Sequence, residues 1–261
     1  MREGKFSHQK LKIEFHSSYL LMALGFILTG YYLNLIVFTT LILIHEMGHY
    51  LIAKLNHFHV SKIVIYPYGG MTKIEDMLNR DIQEELLIAT AGVIFQYAFY
   101  LIIVLCNHQG LIRNYTMNLY TLYNNQMIFF NLLPIYPLDG AKILNLLLSK
   151  YLYYNLANMV TIIISILLIL FLALLNIYQY NYSNLMIFVL LFTYLYQFYR
   201  KRKYLYHKFL LERYLYSIQY PKIKIVNNIR KMYKNKTHLF YQNHHYQKEK
   251  EVLSSLFKKS S

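Results

Sequence analysis

The sequence predicts an all-α polytopic membrane protein, with about six transmembrane helices followed by a small basic cytoplasmic tail. Three observations carry that expectation. Apolar runs reach about twenty residues, the length that crosses a roughly 30 Å hydrocarbon core, and one of them, Thr161 to Tyr178 ("TIIISILLILFLALLNIY"), holds no charge. The 261 residues are 56% hydrophobic yet carry a formal net charge of +15, most of it gathered at one end. Tyrosine, whose apolar ring and wet hydroxyl suit a membrane interface, occurs 29 times, and tryptophan not at all.

The elements follow in order. A basic stretch, Met1 to Lys12, precedes a first span at about 17–32, read as an uncleaved anchor because no small-residue cleavage site follows it. A crowded turn at Thr29-Gly30-Tyr31 leads to a second span at about 33–54. Ser61 to Ile74 ("SKIVIYPYGGMTKI") reads as two short extended runs around a Pro/Gly turn. The remaining spans lie at about 85–106, 120–148 (broken), 156–177 and 184–199. With the N-terminus in the cytoplasm, 26 of the 27 Lys/Arg fall on cytoplasmic segments and Arg113 falls outside, as the positive-inside rule requires. Both termini are thus expected in the cytoplasm. The single cysteine, Cys106, leaves no intrachain disulfide to form.

Two domains are expected: a transmembrane domain over 1–199 and the tail over 200–261. The tail holds sixteen basic and three acidic residues, whereas residues 1–199 hold eleven and nine. A basic segment tethered beside a bilayer meets anionic headgroups or an acidic partner more simply than nucleic acid. Inside it, "THLFYQN" reads as a short strand. "QKEKEVLSSLFKK" reads as an amphipathic helix with Val252, Leu253, Leu256 and Phe257 on one side.

The chemistry is concentrated in "LILIHEMGHYLIAKL", Leu41 to Leu55. His45 and His49 are four apart and share one helical face, with Glu46 beside them. In the pattern H-E-x-x-H the histidines hold zinc and the glutamate takes a proton from water. Ionisable groups inside a span are costly and mark function by default. Zinc held by two histidines needs a third protein ligand. Of the three aspartates, Asp76 and Asp81 fall in a polar loop, and Asp139 lies in "NLLPIYPLDGAKILNLLL". Pro134, Pro137 and Gly140 break the helix there, which membrane backbone tolerates where protein or a water-filled cavity satisfies the freed groups. Asp139 is therefore a candidate ligand, the other reading being a turn-capping aspartate at the membrane surface.

H-E-M-G-H on the second span, taken with N-L-L-P-I-Y-P-L-D-G on the fourth, resembles the site-2 protease family of intramembrane metalloproteases. With the six-span layout and short basic N-terminus, the pair resembles the family's sporulation members, which remove the pro-sequence of a sigma factor in the mother cell. The resemblance covers roughly residues 1–200. It implies a three-helix catalytic core holding one Zn2+, with His45, His49 and Asp139 as ligands and Glu46 as general base. It also implies that Asn131, Pro134 and Pro137 face the substrate. The implied partners are a pro-sigma factor as protein substrate, membrane regulatory proteins and further copies of the chain. The implied location is the mother-cell membrane around the forespore.

The sequence departs from the family in two places. Many members carry Gly-Pro-x-x-Asn on the third span, where "AGVIFQ" has Val93 for the proline and Gln96 for the asparagine. Several relatives carry a nucleotide-binding CBS domain, of which this tail after Tyr214 offers at most a strand and a helix. ATP enters on that ground alone. The rival class is a divalent metal transporter, since some pass ions between His/Glu pairs on broken spans. Such a path needs polar groups on successive spans, and here spans one, three, five and six offer almost none.

Overall fold

The computed structural model of the protein describes residues 11–75, 78–178, 185–242 and 245–258. It is mostly helical, with eight α-helices and two three-stranded sheets among the described residues. Three of these helices, Tyr32–Leu55, Ile82–His108 and Tyr154–Asn176, are long and apolar enough to cross a membrane. The chain packs as two compact units.

The first unit comprises the described residues of Met1–Asp76 and Thr90–Phe129. β1 (Ile13–Phe15) pairs in parallel with β2 (Val60–Tyr66), and β2 pairs antiparallel with β3 (Gly69–Ile74), in the order β1-β2-β3. The hairpin expected over Ser61 to Ile74 is thus present, joined across Pro67 and Tyr68. α1 (Ser17–Leu28) is capped by His16, whose ring nitrogen accepts from Ser18 N. It ends at Thr29, and Gly30 takes φ +78°, which lets the chain reverse into α2 (Tyr32–Leu55). A glycine is the cheapest residue in that left-handed region. On β2 the alternation of the pleat sends Ile63 and Ile65 to one face. There they pack with Tyr19, Val37, Leu41 and Ile42 of α1 and α2, and with Leu119 and Met127. α3 (Ile82–His108) and α4 (Asn114–Leu132) each run partly in this unit and partly in the second.

The second unit holds the described residues of Met77–Ala89 and Phe130–Ser261. The broken fourth span resolves into the end of α4 and α5 (Asp139–Tyr151), with α4 starting at Asn114 rather than near residue 120. The non-helical segment between them is held by α6 (Tyr154–Tyr178). Ser165 Oγ lies 3.0 Å from Pro134 O and accepts from Tyr136 N at 3.3 Å. Ile135 and Leu138 of the break are buried with Ile162 and Ile169 of α6 and Leu191 and Leu195 of α7 (Leu185–Tyr216). Backbone outside a helix needs partners for its polar groups, and Ser165 supplies one here while the apolar cluster packs around it.

α7 runs through Arg200 without interruption to Tyr216. Beyond it, β4 (Ile223–Val226) pairs in parallel with β5 (Thr237–Gln242). β5 pairs antiparallel with β6 (His245–Lys248), and α8 (Glu249–Lys258) follows. The expected strand and amphipathic helix of the tail are β5 and α8. Val252, Leu253 and Phe257 join a core with Phe209, Leu210, Val226, Met232 and Phe240, whereas Leu256 stays 38% exposed. Arg213, which reads as one more surface charge in sequence, is buried. Its guanidinium donates to Asn79, to Glu249 and to the backbone oxygens of Tyr233, Lys234 and Lys236.

Candidate metal centre

His45, Glu46 and His49 lie in the second half of α2, on 24 residues that include no proline and a single glycine, Gly48. One turn of helix rise separates the two histidines, and all three side chains are buried, at 2%, 3% and 5% exposure. The rings meet edge to face with centroids 4.8 Å apart, and the two Nε2 atoms lie 3.1 Å from one another. Zn–N bonds of about 2.0–2.1 Å in a tetrahedral site place two ligand nitrogens about 3.4 Å apart. The pair therefore stands near the separation a shared zinc would impose.

Two glycines make room for it. A Cβ on Gly92 of α3 would stand 2.6 Å from His45 Nε2 and would also strike His49 Nε2. The two rings thus close on the bare Cα of Gly92, and any side chain there would displace both nitrogens. A Cβ on Gly48 would lie 2.7 Å from Ala91 O and 2.9 Å from Phe95 Cβ, so α2 and α3 touch there through bare backbone. Both glycines are visible in the sequence, inside H-E-M-G-H and A-G-V-I-F-Q. What flagged neither is that close helix contact is a tertiary fact, which local pattern does not report.

Glu46 is held from the sheet side. Thr72 Oγ1 on β3 donates to Glu46 Oε2 at 2.7 Å, and Gly70 presents its bare Cα to the Glu46 side chain, which a Cβ would strike. On the opposite side, His45 Nδ1 lies 3.0 Å from Gln96 Oε1. Gln96 Nε2 donates in turn to Asn124 O at 3.3 Å and to Asn124 Oδ1 at 3.1 Å. Gln96 and Asn124 are fully buried.

The other sequence candidates belong to the second unit. Asn131 is half-buried in the last turn of α4, and Pro134 and Pro137 lie in the break. Asp139 opens α5, is buried, and accepts from Lys142 Nζ at 2.8 Å. A carboxylate in the first helical turn is favoured by the helix dipole.

Residues 33–112 match peptidase family M50. The chain is 35% identical over 211 residues to Stage IV sporulation protein FB of Bacillus subtilis (strain 168), covering 78% of this chain and 72% of that protein. It is 30% identical over 124 residues to a zinc metalloprotease of Methanocaldococcus jannaschii, covering 45% of this chain and 34% of that one. The structure of a site-2 protease from Methanocaldococcus jannaschii shares the fold, with a TM-score of 0.56, 24% identity, and coverage of 73% of this chain and 93% of that chain. The matching family is one of peptidases and two of these relatives are named as proteases, which sets the transporter alternative aside. The chain belongs to peptidase family M50, the site-2 proteases, and is a membrane zinc metalloprotease.

Proposed function

We propose that the protein hydrolyses a peptide bond of a membrane-associated protein within the membrane, using Glu46 as general base. His45, His49 and Asp139 would hold the zinc ion. The observation that carries the reading is the buried H-E-x-x-H turn. Its two Nε2 atoms are 3.1 Å apart, and Thr72 anchors its glutamate at 2.7 Å. Zinc, when bound, supplies Lewis acidity that acidifies water and polarises a carbonyl. Glu46 takes the proton of the attacking water and returns it to the leaving amine. The Thr72 bond to Oε2 leaves the other carboxylate oxygen for that proton and fixes the rotamer of the base. Asp139, as a buried carboxylate, is the chemically suited third ligand, and the family resemblance assigns it that role.

The substrate in this reading is the pro-sequence of a sporulation sigma factor, supported by the similarity to Stage IV sporulation protein FB. β3 lies at the edge of its sheet, so an unwound substrate segment could pair with it and stay extended. The basic tail would capture an acidic partner or headgroup surface. Both termini would face the cytoplasm, at the mother-cell membrane. The reading assigns no role to ATP.

Co-expression with a candidate pro-sigma factor tests this. Glu46→Gln keeps the shape and the zinc and removes the base, so cleavage falls by ~10²–10⁴-fold; full turnover by the folded variant would sink the mechanism. Asp139→Asn lowers zinc content along with activity, because a neutral amide is a poorer ligand. Zinc affinity and cleavage both at wild-type level would return Asp139 to a helix-opening turn.

A further inference from the structure

We propose that Gln96 is a positioning residue that sets the tautomer of His45 and so aims its Nε2 lone pair at the zinc. The proposal rests on His45 being a ligand, as read above. The logic starts at the far end of a three-helix chain of hydrogen bonds. A backbone carbonyl can only accept, so the group of Gln96 that faces Asn124 O at 3.3 Å is its NH2. The amide cannot be turned over without setting oxygen against oxygen. Oε1 therefore faces His45 Nδ1 at 3.0 Å, and an acceptor there requires the ring proton on Nδ1.

A neutral imidazole has one such proton. Nε2 of His45, 3.1 Å from His49 Nε2, then carries the lone pair that a metal ion takes. Both Gln96 and Asn124 are 0% exposed, so bulk water does not take the place of either partner. The side chain of Gln96 spans from α2 to α4. A ligand histidine commonly donates its second nitrogen to such an outer partner, which fixes ring orientation and raises basicity. Buried glutamine supplies that acceptor here without adding a charge.

The test uses purified full-length protein in detergent, with zinc affinity by chelator competition and the visible spectrum of the cobalt-substituted form. Gln96→Met removes the acceptor and keeps the length; it raises the zinc Kd by ~10–100-fold and alters the cobalt spectrum, with the unfolding midpoint of the metal-free protein kept. Gln96→Glu restores an acceptor for Nδ1–H and, protonated on its other oxygen, still donates to Asn124 O, so it recovers most of the affinity. In metal-free wild type the 15N spectrum shows His45 protonated on Nδ1 with Nε2 bare, and zinc loading then places the metal on Nε2. His45 is identified by signals lost in His45→Ala. That spectrum decides the matter even if Gln96→Met does not fold. Wild-type affinity and spectrum in Gln96→Met, equal loss in Met and Glu variants, a metal-free His45 protonated on Nε2, or metal on Nδ1 each overturns the proposal. Retention of zinc by His45→Ala would instead overturn the ligand assignment beneath it, a distinct result.

Discussion

Gly92 shows how much of this centre depends on an atom that is missing. In a helix, alanine is favoured over glycine by about 1 kcal/mol, so Gly92→Ala should help α3 as a helix. At this position the added methyl would lie 2.6 Å from His45 Nε2, in the space adjoining both histidines. Gly92→Ala is therefore expected to lose zinc while remaining folded, read as metal content beside an unchanged helical circular dichroism spectrum. Gly25 on α1 is the control, since a Cβ there meets nothing within 4 Å. Gly25→Ala keeps its zinc and is neutral or slightly more stable. Equal zinc content in the two variants would show that the metal does not sit beside Gly92.

At the scale of elements, what sequence revealed was what local pattern encodes. H-E-x-x-H declares a helix face, the runs around Pro67 declare a hairpin, and two prolines within four residues declare a break. What it concealed were pairings made over distance. β1 is three residues long and acquires its strand character from β2, paired through Ile13 and Ile63. β4 borrows from β5 in the same way. Gln96 read as a doubtful departure from a motif because its partner, Asn124, sits on another helix. The break itself was legible, but its support was not. Ser165 looks like a chance polar residue in an apolar span, yet it is the side chain bonded to Tyr136 N and beside Pro134 O. Ser165→Ala leaves that backbone group without its partner in an apolar cluster, a loss of about 1–3 kcal/mol. Urea unfolding in detergent measures it, and a midpoint equal to wild type would assign the break's stability to the packing of Ile135 and Leu138 alone.

Over the whole molecule, the charge asymmetry of the sequence meets a folded tail rather than a merely solvated one. Removing residues 215–261 would uncover Phe209 and Leu210, which pack under β4–β6 and α8, so truncation is a blunt probe of tail function. Protons offer a finer one. His238 Nε2 accepts from Tyr233 N at 2.9 Å, and Nδ1 lies 3.1 Å from Glu249 Oε2. Burial holds the His238 pKa below its ordinary 6.5, with the Arg213 and Lys236 charges adding to the effect against the Glu249 hydrogen bond. Burial pushes the Glu249 carboxyl up, but the His238 bond and the Arg213 charge outweigh it and leave it below 4.5. Both folded values are depressed, so in both cases the unfolded chain takes up the proton first as pH falls. Each stabilising contribution is complete above the unfolded value and is lost as pH drops through the folded one. The tail should hold its stability above about pH 6.5 and lose it progressively below, first through His238 and then through Glu249. Hydrogen exchange of peptides from β5 and α8, corrected for intrinsic rate and followed from about pH 7.5 down to about pH 5, is expected to show protection falling with pH. The core of α2 should change less over the same window. Protection in the tail that stays flat over this window would mean that His238 does not change its proton affinity on folding, and the buried Arg213–Glu249–His238 cluster would then hold the tail without coupling it to pH there.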